Sequence, residues 1–439
     1  MIEFGVFTEF IKEQHERLSA IRDGNVASYI PQLAAVNPDL FSISLCTLDG
    51  QEFSVGDSSI PFCIQSCVKP FTYCLAQTQN SQVHDHIGHE PSGQRFNAFV
   101  LNENGKPHNP MINSGAMVIS SLISPHLEPA MRFQSVFDCL RTCNGDKDGI
   151  GFDNSVYLSE YQHANRNYAL AYFMKEQGAF SYSTNTLEES VQLYFQSCSI
   201  QITTESGARM AATLANHGHQ PITQKCIFTP SVTRNALSCM LSSGMYDYSG
   251  RFAFEVGIPA KSGVSGCVML TIPGLGGICI WSPPLDDLGN SVRGVEFCRA
   301  LVAKFPNVHI FERLLHMPSN SLNPSDKNAD VYRFITAANE GDVETVKNMI
   351  NNNMNVNQKD YDSRSALHLA SAGGHIDCVN ILLNAGALQF KDRWGSTPCH
   401  EGDKMYQETN DIKYKQVAEL LRLNSVHTPS IFESDLLDK

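Results

Sequence analysis

The sequence lacks the patterns that mark several common classes of protein. Its 14 cysteines are scattered and form no C-x-x-C pair, which argues against a zinc site. It also has no cluster of lysines and arginines, and its formal net charge is −13, so we predict no nucleic-acid binding. We predict that no metal is bound and that the cysteines are buried, reduced thiols in a reducing compartment.

Targeting and membrane signals are also missing from the sequence. Residues 1–18, MIEFGVFTEFIKEQHERL, lack a basic start and a long apolar run, and their four glutamates argue against an import signal. The longest uncharged run, residues 262–285, contains prolines and glycines between β-branched flanks. We therefore predict two buried strands around a Pro-Gly turn in this run, and no membrane segment.

The length and the composition of the chain indicate a globular protein of several domains. The chain has 439 residues, of which 42% are hydrophobic and 18% charged, and this balance allows two or three domains with sizeable cores. The predicted organisation is a helical lead-in at residues 1–25, a mixed α and β domain at 26–315, a polar linker at 316–330, a repeat array at 331–424 and a flexible tail at 425–439.

The repeat array is visible as internal similarity. FITAANEGDVETVKNMI, residues 334–350, aligns with HLASAGGHIDCVNILL, residues 368–383, so that Ala337 matches Ala370 at an offset of 33 residues. SALHLA, residues 365–370, resembles the T-P-L-H-x-A signature of ankyrin repeats, and STPCH echoes it one repeat later. We predict three stacked helix pairs, because each pair has an apolar face that only a neighbour can bury.

The third repeat departs from this pattern. Glu401 and Gly402 stand where an apolar and a small residue are expected, and the segment that follows is longer than a regular helix pair allows. Its second helix, Val417 to Leu423, is predicted to be intact. Since three units are the usual minimum, we expect this array to lean on another surface.

One apolar stretch carries an unexpected lysine. In FCIQSCVKPFTYCLA, residues 62–76, Lys69 follows Ser66 by three residues, and on a helix this spacing puts both on one face. Pro70 places the pair at the start of the helix, where free backbone N–H groups favour negative charge. Burial would lower the pKa of Lys69, so that a neutral amine could take a proton from the serine. The pair is therefore a candidate nucleophile and base.

A second motif strengthens this interpretation. Serine acyl-enzymes with S-x-x-K usually carry a K-[ST]-G strand later in the chain, and Lys261-Ser262-Gly263 stands directly before the predicted strand pair. Gly263 would let the backbone approach a ligand, and the Val264 N–H group is a candidate oxyanion donor. The spacing and the order of the two motifs both suit an active-site edge strand.

The sequence resembles the serine-dependent glutaminases, a β-lactamase-like family that includes the animal kidney and liver types. The resemblance runs from about residue 29 to about residue 311, and ankyrin repeats after this domain fit the animal members. It rests on the segments SYIPQLA, FCIQSCVKP, EPSGQRFN, KPHNPMINSGA, NRNYALAYFMKE, QLYFQSCSI, MAATLANHG, SSGMYDYSGRFAFEVGIPAKSGVSGC and WSPPLDDLGNSVRG. It implies an α+β catalytic domain, in which an antiparallel sheet packs with helices and a helical cluster, followed by an all-α ankyrin array.

The resemblance also implies an activity and a set of site residues. The activity is hydrolysis of L-glutamine to L-glutamate and ammonia through a serine acyl-enzyme, without a cofactor. The implied residues are Ser66 as nucleophile, Lys69 as base, Tyr29 and Tyr246 as active-site tyrosines, Asn113, Glu160, Asn167 and Tyr194 as substrate-binding residues, and Val264 at the oxyanion position. Glu160 suits the substrate ammonium, and Asn113 and Asn167 suit its carboxylate or its amide oxygen. Which tyrosine relays which proton stays open.

Assembly, activation and location follow only from the resemblance. It implies a homo-oligomer, a dimer or a tetramer, with inorganic phosphate as an activator and a protein partner on the ankyrin repeats. The loop at residues 92–101 has Ala98 where the family often has a basic residue, which weakens the expectation of phosphate activation and of higher assembly. Animal relatives are often mitochondrial, and this chain shows no import signal, so we expect a cytoplasmic or mitochondrial location.

Two other functions fit parts of the sequence. One is a serine hydrolase of β-lactam or peptide substrates on the same scaffold, although Glu160 favours an amino-acid ligand. The other is a scaffold whose ankyrin array binds partners while the front domain is inactive. The presence of Ser66, Lys69, Tyr29 and Tyr246 argues against this second alternative.

Overall fold

The computed structural model describes residues 3–93, 98–180, 186–315 and 327–425, and the chain divides into two compact units, Met1–His316 and Met317–Lys439. The helices of the first unit are α1 Phe4–Leu18, α2 Pro31–Ala34, α3 Lys69–Gln79, α4 Asn113–Leu122, α5 Pro129–Cys143, α6 Asn154–Gln162, α7 Asn165–Glu176, α8 Leu187–Cys198, α9 Thr204–Ala215, α10 Pro230–Ser243, α11 Ser249–Glu255, α12 Val292–Lys304 and α13 Ile310–Leu315. Its strands are β1 Ser42–Thr47, β2 Glu52–Gly56, β3 Phe62–Cys63, β4 Ile150–Phe152, β5 Ile200–Ile202, β6 Ala260–Gly263, β7 Cys267–Ile272 and β8 Gly276–Trp281.

A five-stranded antiparallel sheet is the framework of the first unit, with the strand order β2-β1-β8-β7-β6. Successive side chains of a strand point to opposite faces, so each face has its own core. On one face, Ile43, Val268 and Ile280 join a cluster with residues of α1, α11 and α12. On the other face, Met269 and Cys279 join a larger cluster with residues of α3, α4, α5, α7, α8, α9 and α10.

Helix α9 covers this second face and packs against β1, β7 and β8. The approach is close at Gly277 of β8, where a Cβ atom would lie 2.2 Å from the backbone nitrogen of Ala212. Only glycine has room at this position, so the residue fixes how tightly the helix and the sheet pack.

A helical cluster with a small second sheet completes the first unit. Helices α3, α4, α5, α7, α8 and α10 pack on one another, and strands β3, β5 and β4 pair in that order. Strand β3 leads directly into a 3₁₀ turn, Gln65–Val68, and then into α3. The antiparallel sheet, its helices and this cluster confirm the predicted α+β class.

Several predicted elements can be compared with the structure. The strand pair predicted in residues 262–285 is confirmed as β7 and β8, and β6, with Lys261 to Gly263, is the predicted edge strand. The N-terminal helix ends at Leu18, well before residue 25, and its buried side chains belong to the core on the sheet. The 14 cysteines are free thiols, but Cys226 is exposed and Cys139 and Cys399 are only half-buried, so the prediction of buried thiols is wrong for Cys226 and holds only in part for the other two.

The second unit consists of stacked helix pairs. Its helices are α14 Lys327–Glu340, α15 Val343–Asn351, α16 Ala366–Gly373, α17 Ile376–Asn384, α18 Pro398–Thr409 and α19 Ile412–Ser425. The first helices of successive pairs pack on each other, as do the second helices. The residues Val346 and Val379, matched by the repeat, are both completely buried. This arrangement confirms the predicted stacking.

The third pair is more regular than predicted. Its second helix begins at Ile412 and not at Val417, and Glu401 and Gly402 lie within α18. Gly402 is buried against α19, where a Cβ atom would lie 3.4 Å from that of Ala418. The longer segment is accommodated because α18 is longer than α16, and α19 is longer than α15 and α17.

Some predictions fall outside the described residues. The linker predicted at residues 316–330 is described only from 327 onward, where α14 begins, and the predicted tail is described only at residue 425. The loop at residues 92–101 is described only in part, without residues 94–97.

Among the helices that the structure does describe, none combines the length and the apolar character needed to cross a membrane.

Candidate active site

Ser66 lies in the buried 3₁₀ turn between β3 and α3, and Lys69 is the first residue of α3. Their side chains are 8% and 1% exposed. The sequence argument assumed an α-helix, but residues three apart also share a face in a 3₁₀ turn. Ser66 therefore lies in the turn that leads into α3, Lys69 begins that helix, and both residues are enclosed by protein.

The surroundings of Lys69 favour an uncharged amine. Its Nζ donates a hydrogen bond to Oδ1 of Asn113 at 2.7 Å and lies 5.8 Å from the centre of the Tyr194 ring. Burial and then the positive charge of Lys261 lower the pKa of Lys69 from 10.5 to about 7. Near neutral pH, a large fraction of the lysine is therefore able to accept a proton.

Tyr246 is a second buried residue that contacts Ser66. Its phenol forms a side-chain hydrogen bond with Ser66, and burial raises the pKa of the phenol far above its ordinary value. The backbone at Tyr246 has φ +52°, a left-handed conformation that is unfavourable for a residue with a side chain. The phenol therefore stays protonated at neutral pH and can donate a proton near the serine.

A carboxylate with two donors forms the other end of the site. Oε1 of Glu160 accepts hydrogen bonds from the Tyr29 hydroxyl at 2.6 Å and from Nε2 of Gln65 at 3.0 Å. Burial raises the pKa of Glu160, although both hydrogen bonds oppose this rise. Although 48% of the surface of Tyr29 is exposed, burial around its hydroxyl and the neighbouring carboxylate raise the pKa of the phenol. Both donors use the same oxygen, so Oε2 of Glu160 remains available for a ligand cation.

The edge strand β6 lies directly against the serine turn. The Cys67 thiol is 3.2 Å from the Lys261 carbonyl oxygen and donates to it. At Gly263, a Cβ atom would lie 3.0 Å from the Ile64 carbonyl oxygen and 3.1 Å from the sulfur of Cys67. Glycine therefore allows the K-S-G strand and the serine turn to pack together, and Val264 follows directly after the strand.

The structure brings most of the predicted site residues together. Contacts connect Ser66 with Tyr246, and Lys69 with Asn113 and Tyr194. Glu160 and Tyr29 are connected to the same turn through Gln65. Asn167 is half-buried on α7, which packs against the helices of Asn113 and Tyr194.

Val264 occupies a different kind of environment from the polar residues of the site. Its side chain is half-buried and packs on a small cluster that contains Ile30, Leu33 and Cys63. The side chain of Val264 is therefore structural, and any part that this residue plays in the site falls to its backbone.

Two residues of the site were missed by the sequence argument. Gln65 contacts Glu160 and has φ +49°, and its position next to Ser66 was the only signal in the sequence. Lys261 was used only as part of a motif, but its side chain is completely buried and lies 4.7 Å from the centre of the Tyr246 ring.

The fold and the site define a class. β-Lactamase-like enzymes have three features that are present here. These are an antiparallel sheet with a helical cluster, a serine and a buried lysine at the start of a helix, and a K-S-G edge strand beside them. The comparisons with known proteins narrow this class.

A family model described as glutaminase matches residues 24–311, and a model described as ankyrin repeats (3 copies) matches residues 300–401. The chain is 45% identical over 408 residues to a protein of Rattus norvegicus named "Glutaminase liver isoform, mitochondrial", covering 91% of this chain and 67% of that protein. It is 43% identical over 305 residues to a protein of a Nostoc species named "Glutaminase", covering 69% of this chain and 89% of that protein.

A solved structure described as a probable glutaminase, ybaS, matches the fold with a TM-score of 0.66 and 31% identity, covering 70% of this chain and 98% of that chain. The chain belongs to the glutaminase family, and it is a hydrolase of that family with C-terminal ankyrin repeats. It spans about two thirds of the length of the rat relative.

Proposed function

We propose that this protein hydrolyses L-glutamine to L-glutamate and ammonia through an acyl-enzyme on Ser66, with Lys69 as the base. The observation that carries the proposal is the state of Lys69, which is buried in one turn with Ser66 and has a pKa lowered to about 7. An ordinary lysine is protonated at this pH and cannot act as a base.

The first half of the reaction forms an ester. Lys69 takes the proton of the Ser66 hydroxyl while the oxygen attacks the side-chain amide carbon of glutamine. The hydrogen bond to Asn113 uses one N–H of the amine and orients its lone pair. The oxyanion that forms is proposed to accept hydrogen bonds from the backbone N–H groups of Ser66 and Val264.

The leaving group then needs a proton. The C–N bond breaks and the nitrogen departs as ammonia, with the proton that Lys69 took from the serine. We propose that Tyr246 relays this proton, because its phenol is protonated, is buried and contacts Ser66. Tyr29 has a different position, because its hydroxyl is held by Glu160, and its proposed part is to orient that carboxylate.

The second half of the reaction reverses these roles with water. Lys69, again neutral, takes a proton from a water molecule that attacks the ester carbonyl, and the Ser66 oxygen leaves and is reprotonated. Glutamate is released, and the enzyme returns to its starting state without a cofactor.

We assign the substrate-binding roles from the chemical groups that the site residues offer. The free Oε2 of Glu160 would pair with the substrate ammonium. Nδ2 of Asn113 is a donor once Oδ1 is engaged by Lys69, and Asn167 supplies a second amide for the carboxylate or the amide oxygen. The ring of Tyr194 forms the wall beside Lys69.

The test is ammonia release from L-glutamine and from L-asparagine by the wild-type chain and by Ser66→Ala, with and without phosphate. We expect the substitution to reduce kcat for glutamine by at least about a thousandfold. Ser238→Ala is the matched control, because this serine is exposed on α10 and bonds only the carbonyl of Arg234, within its own helix. Glutamine turnover that is unchanged in folded Ser66→Ala would disprove the mechanism.

The remaining expectations stay proposals. We propose a homo-oligomer, a dimer or a tetramer, activation by inorganic phosphate, and a cytoplasmic or mitochondrial location. We also propose that the ankyrin unit binds a protein partner. This is supported by Tyr361 and Trp394, which lie in the turns before the first helices of successive repeats and are 77% and 63% exposed.

A further inference from the structure

Lys261 is a buried cation without a carboxylate partner in the described part of the chain. Its side chain is fully buried, and its Nζ donates to the carbonyl oxygens of Gly244 at 3.1 Å and Ser262 at 2.7 Å. A buried ammonium that only neutral groups satisfy is usually less stable than an apolar side chain of the same volume. Lys261 therefore lowers the stability of the fold, and a role in the site would explain its presence.

Its contacts converge on Tyr246. The ammonium lies 4.7 Å from the centre of the Tyr246 ring, a favourable cation–π arrangement that is stronger when buried. The Gly244 carbonyl that it binds also accepts a hydrogen bond from the Ser262 backbone at 3.0 Å. The strand β6 thus holds both the ring of Tyr246 and the turn that leads to this residue. The backbone of Tyr246 is left-handed, and such a conformation persists only where the surroundings support it.

Lys261 also acts on Lys69 through its charge. Two ammonium groups in one enclosed site disfavour each other, and the charge of Lys261 is the largest cause, after burial, of the low pKa of Lys69. Burial lowers the pKa of Lys261 itself to about 8. Between pH 7 and pH 8, Lys261 therefore keeps its proton while Lys69 loses its own.

The other groups around this pair are neutral in that pH range. Burial raises the pKa of each nearby thiol and phenol, so none of them supplies a negative charge. The groups that face Lys69 or Lys261 from the neighbouring elements are Cys67, Asn113, Tyr194, Cys198, Tyr246 and Cys267.

We propose that Lys261 is a positioning residue of the reaction, whose ammonium group holds the Tyr246 ring beside Ser66 and keeps Lys69 in its uncharged form. This inference rests on the proposed Ser66–Lys69 mechanism. It gives the lysine of the K-S-G motif in this chain an electrostatic role that involves no contact with the substrate.

The first test is the pH dependence of kcat/KM for glutamine, measured on the full chain. In the wild type we expect an acid limb near pH 7 from Lys69 and a basic limb near pH 8 from Lys261. In Lys261→Met, Lys69 binds its proton more tightly. The acid limb should therefore move to higher pH, the basic limb should disappear, and kcat/KM at pH 7 should fall by at least about tenfold.

The conservative variant Lys261→Arg separates charge from shape. Its guanidinium stays protonated throughout the range, so the acid limb should keep its wild-type position while the basic limb moves to higher pH. This variant also tests the proposal if Lys261→Met does not fold. Arg132→Met is the matched control, because Arg132 is a buried cation of the same unit that also donates to backbone carbonyls. We expect this control to leave both limbs in place.

A double-mutant cycle tests the positioning of Tyr246. With kcat taken at the pH optimum of each variant, so that the charge of Lys69 does not enter the comparison, Lys261→Met combined with Tyr246→Phe should reduce kcat no more than Tyr246→Phe alone, because both changes remove the same phenol contact. Additive losses would mean that Lys261 has only a structural role and would overturn this part of the inference.

The outcomes for the inference and for the mechanism differ. An acid limb that stays in place in folded Lys261→Met, while Ser66→Ala is inactive, would overturn the inference and leave the mechanism standing. Turnover that persists in Ser66→Ala would overturn both.

Discussion

At the scale of single residues, Glu160 shows how a buried charge is prepared for a ligand. Its two donors, Tyr29 and Gln65, engage the same carboxylate oxygen, and the other oxygen is the proposed partner of the substrate ammonium. A carboxylate held by hydrogen bonds loses little further freedom on binding, so the attraction to an ammonium group is gained almost in full. The same arrangement explains why Tyr29 can be important although half of its surface is exposed.

This geometry predicts the effect of Glu160→Gln. The amide keeps an oxygen for both donors but carries no charge, so the KM for glutamine should rise by about a hundredfold while kcat changes much less. Steady-state kinetics of ammonia release measure both constants.

Glu188→Gln is the control for this substitution, because Glu188 also accepts a tyrosine hydroxyl, from Tyr172, but at an exposed site. A KM that did not change in Glu160→Gln would exclude the proposed ammonium contact.

At the scale of elements, close packing between the sheet and the helices fixes the distance between the two walls of the site. Helix α9 lies against β8 because Gly277 has no side chain, and β6 lies against the serine turn because Gly263 has none. Neither contact involves a functional group. Both nevertheless decide where Ser66 and the K-S-G strand stand.

The packing at Gly277 is testable by substitution. In Gly277→Ala, the added carbon would meet the backbone of α9, so we expect the free energy of unfolding to fall by about 3 kcal/mol, with a lower melting temperature.

Gly5→Ala provides the matched control for Gly277→Ala. Gly5 lies in α1 with nothing within 4 Å of the position of a new Cβ atom. Since alanine favours helix, we expect a small gain of about 0.5 kcal/mol. Equal stability of the two variants would contradict the packing argument.

At the scale of the whole molecule, the two compact units correspond to separable parts of the relatives. About 70% of this chain aligns with each of two relatives. The alignment covers 89% of the Nostoc glutaminase and 98% of the ybaS chain. In both relatives, the matched region makes up most of the length, and it is close in size to the first compact unit of this chain. We infer that the chemistry does not need the array.

Removal of residues 317–439 should therefore leave glutamine hydrolysis within about threefold of the full chain. The measurement is kcat/KM on the truncated protein, with its oligomeric state determined in parallel, and Ser66→Ala in the same background gives the baseline. A truncated protein that is folded and of unchanged oligomeric state, but inactive, would show that the array takes part in catalysis.

Much of this protein follows from the sequence alone. The S-x-x-K and K-S-G spacings identified the serine turn and its edge strand, because these motifs act within a few consecutive residues. The repeat period identified the ankyrin stack, because each repeat must bury the same face. The exact bounds of α1 and α19 could not be predicted, since packing against other elements decides where those helices end.

Only the tertiary structure decided which residues of the site are charged. The contacts of Lys69 with Asn113, of Gln65 with Glu160 and of Tyr29 with Glu160 join residues that are 44, 95 and 131 positions apart. No local pattern encodes them. The pKa of Lys69 depends on how completely the fold excludes water and on the second cation, Lys261, that it places nearby. The sequence determined which groups are present, and folding determined which of them carries the charge.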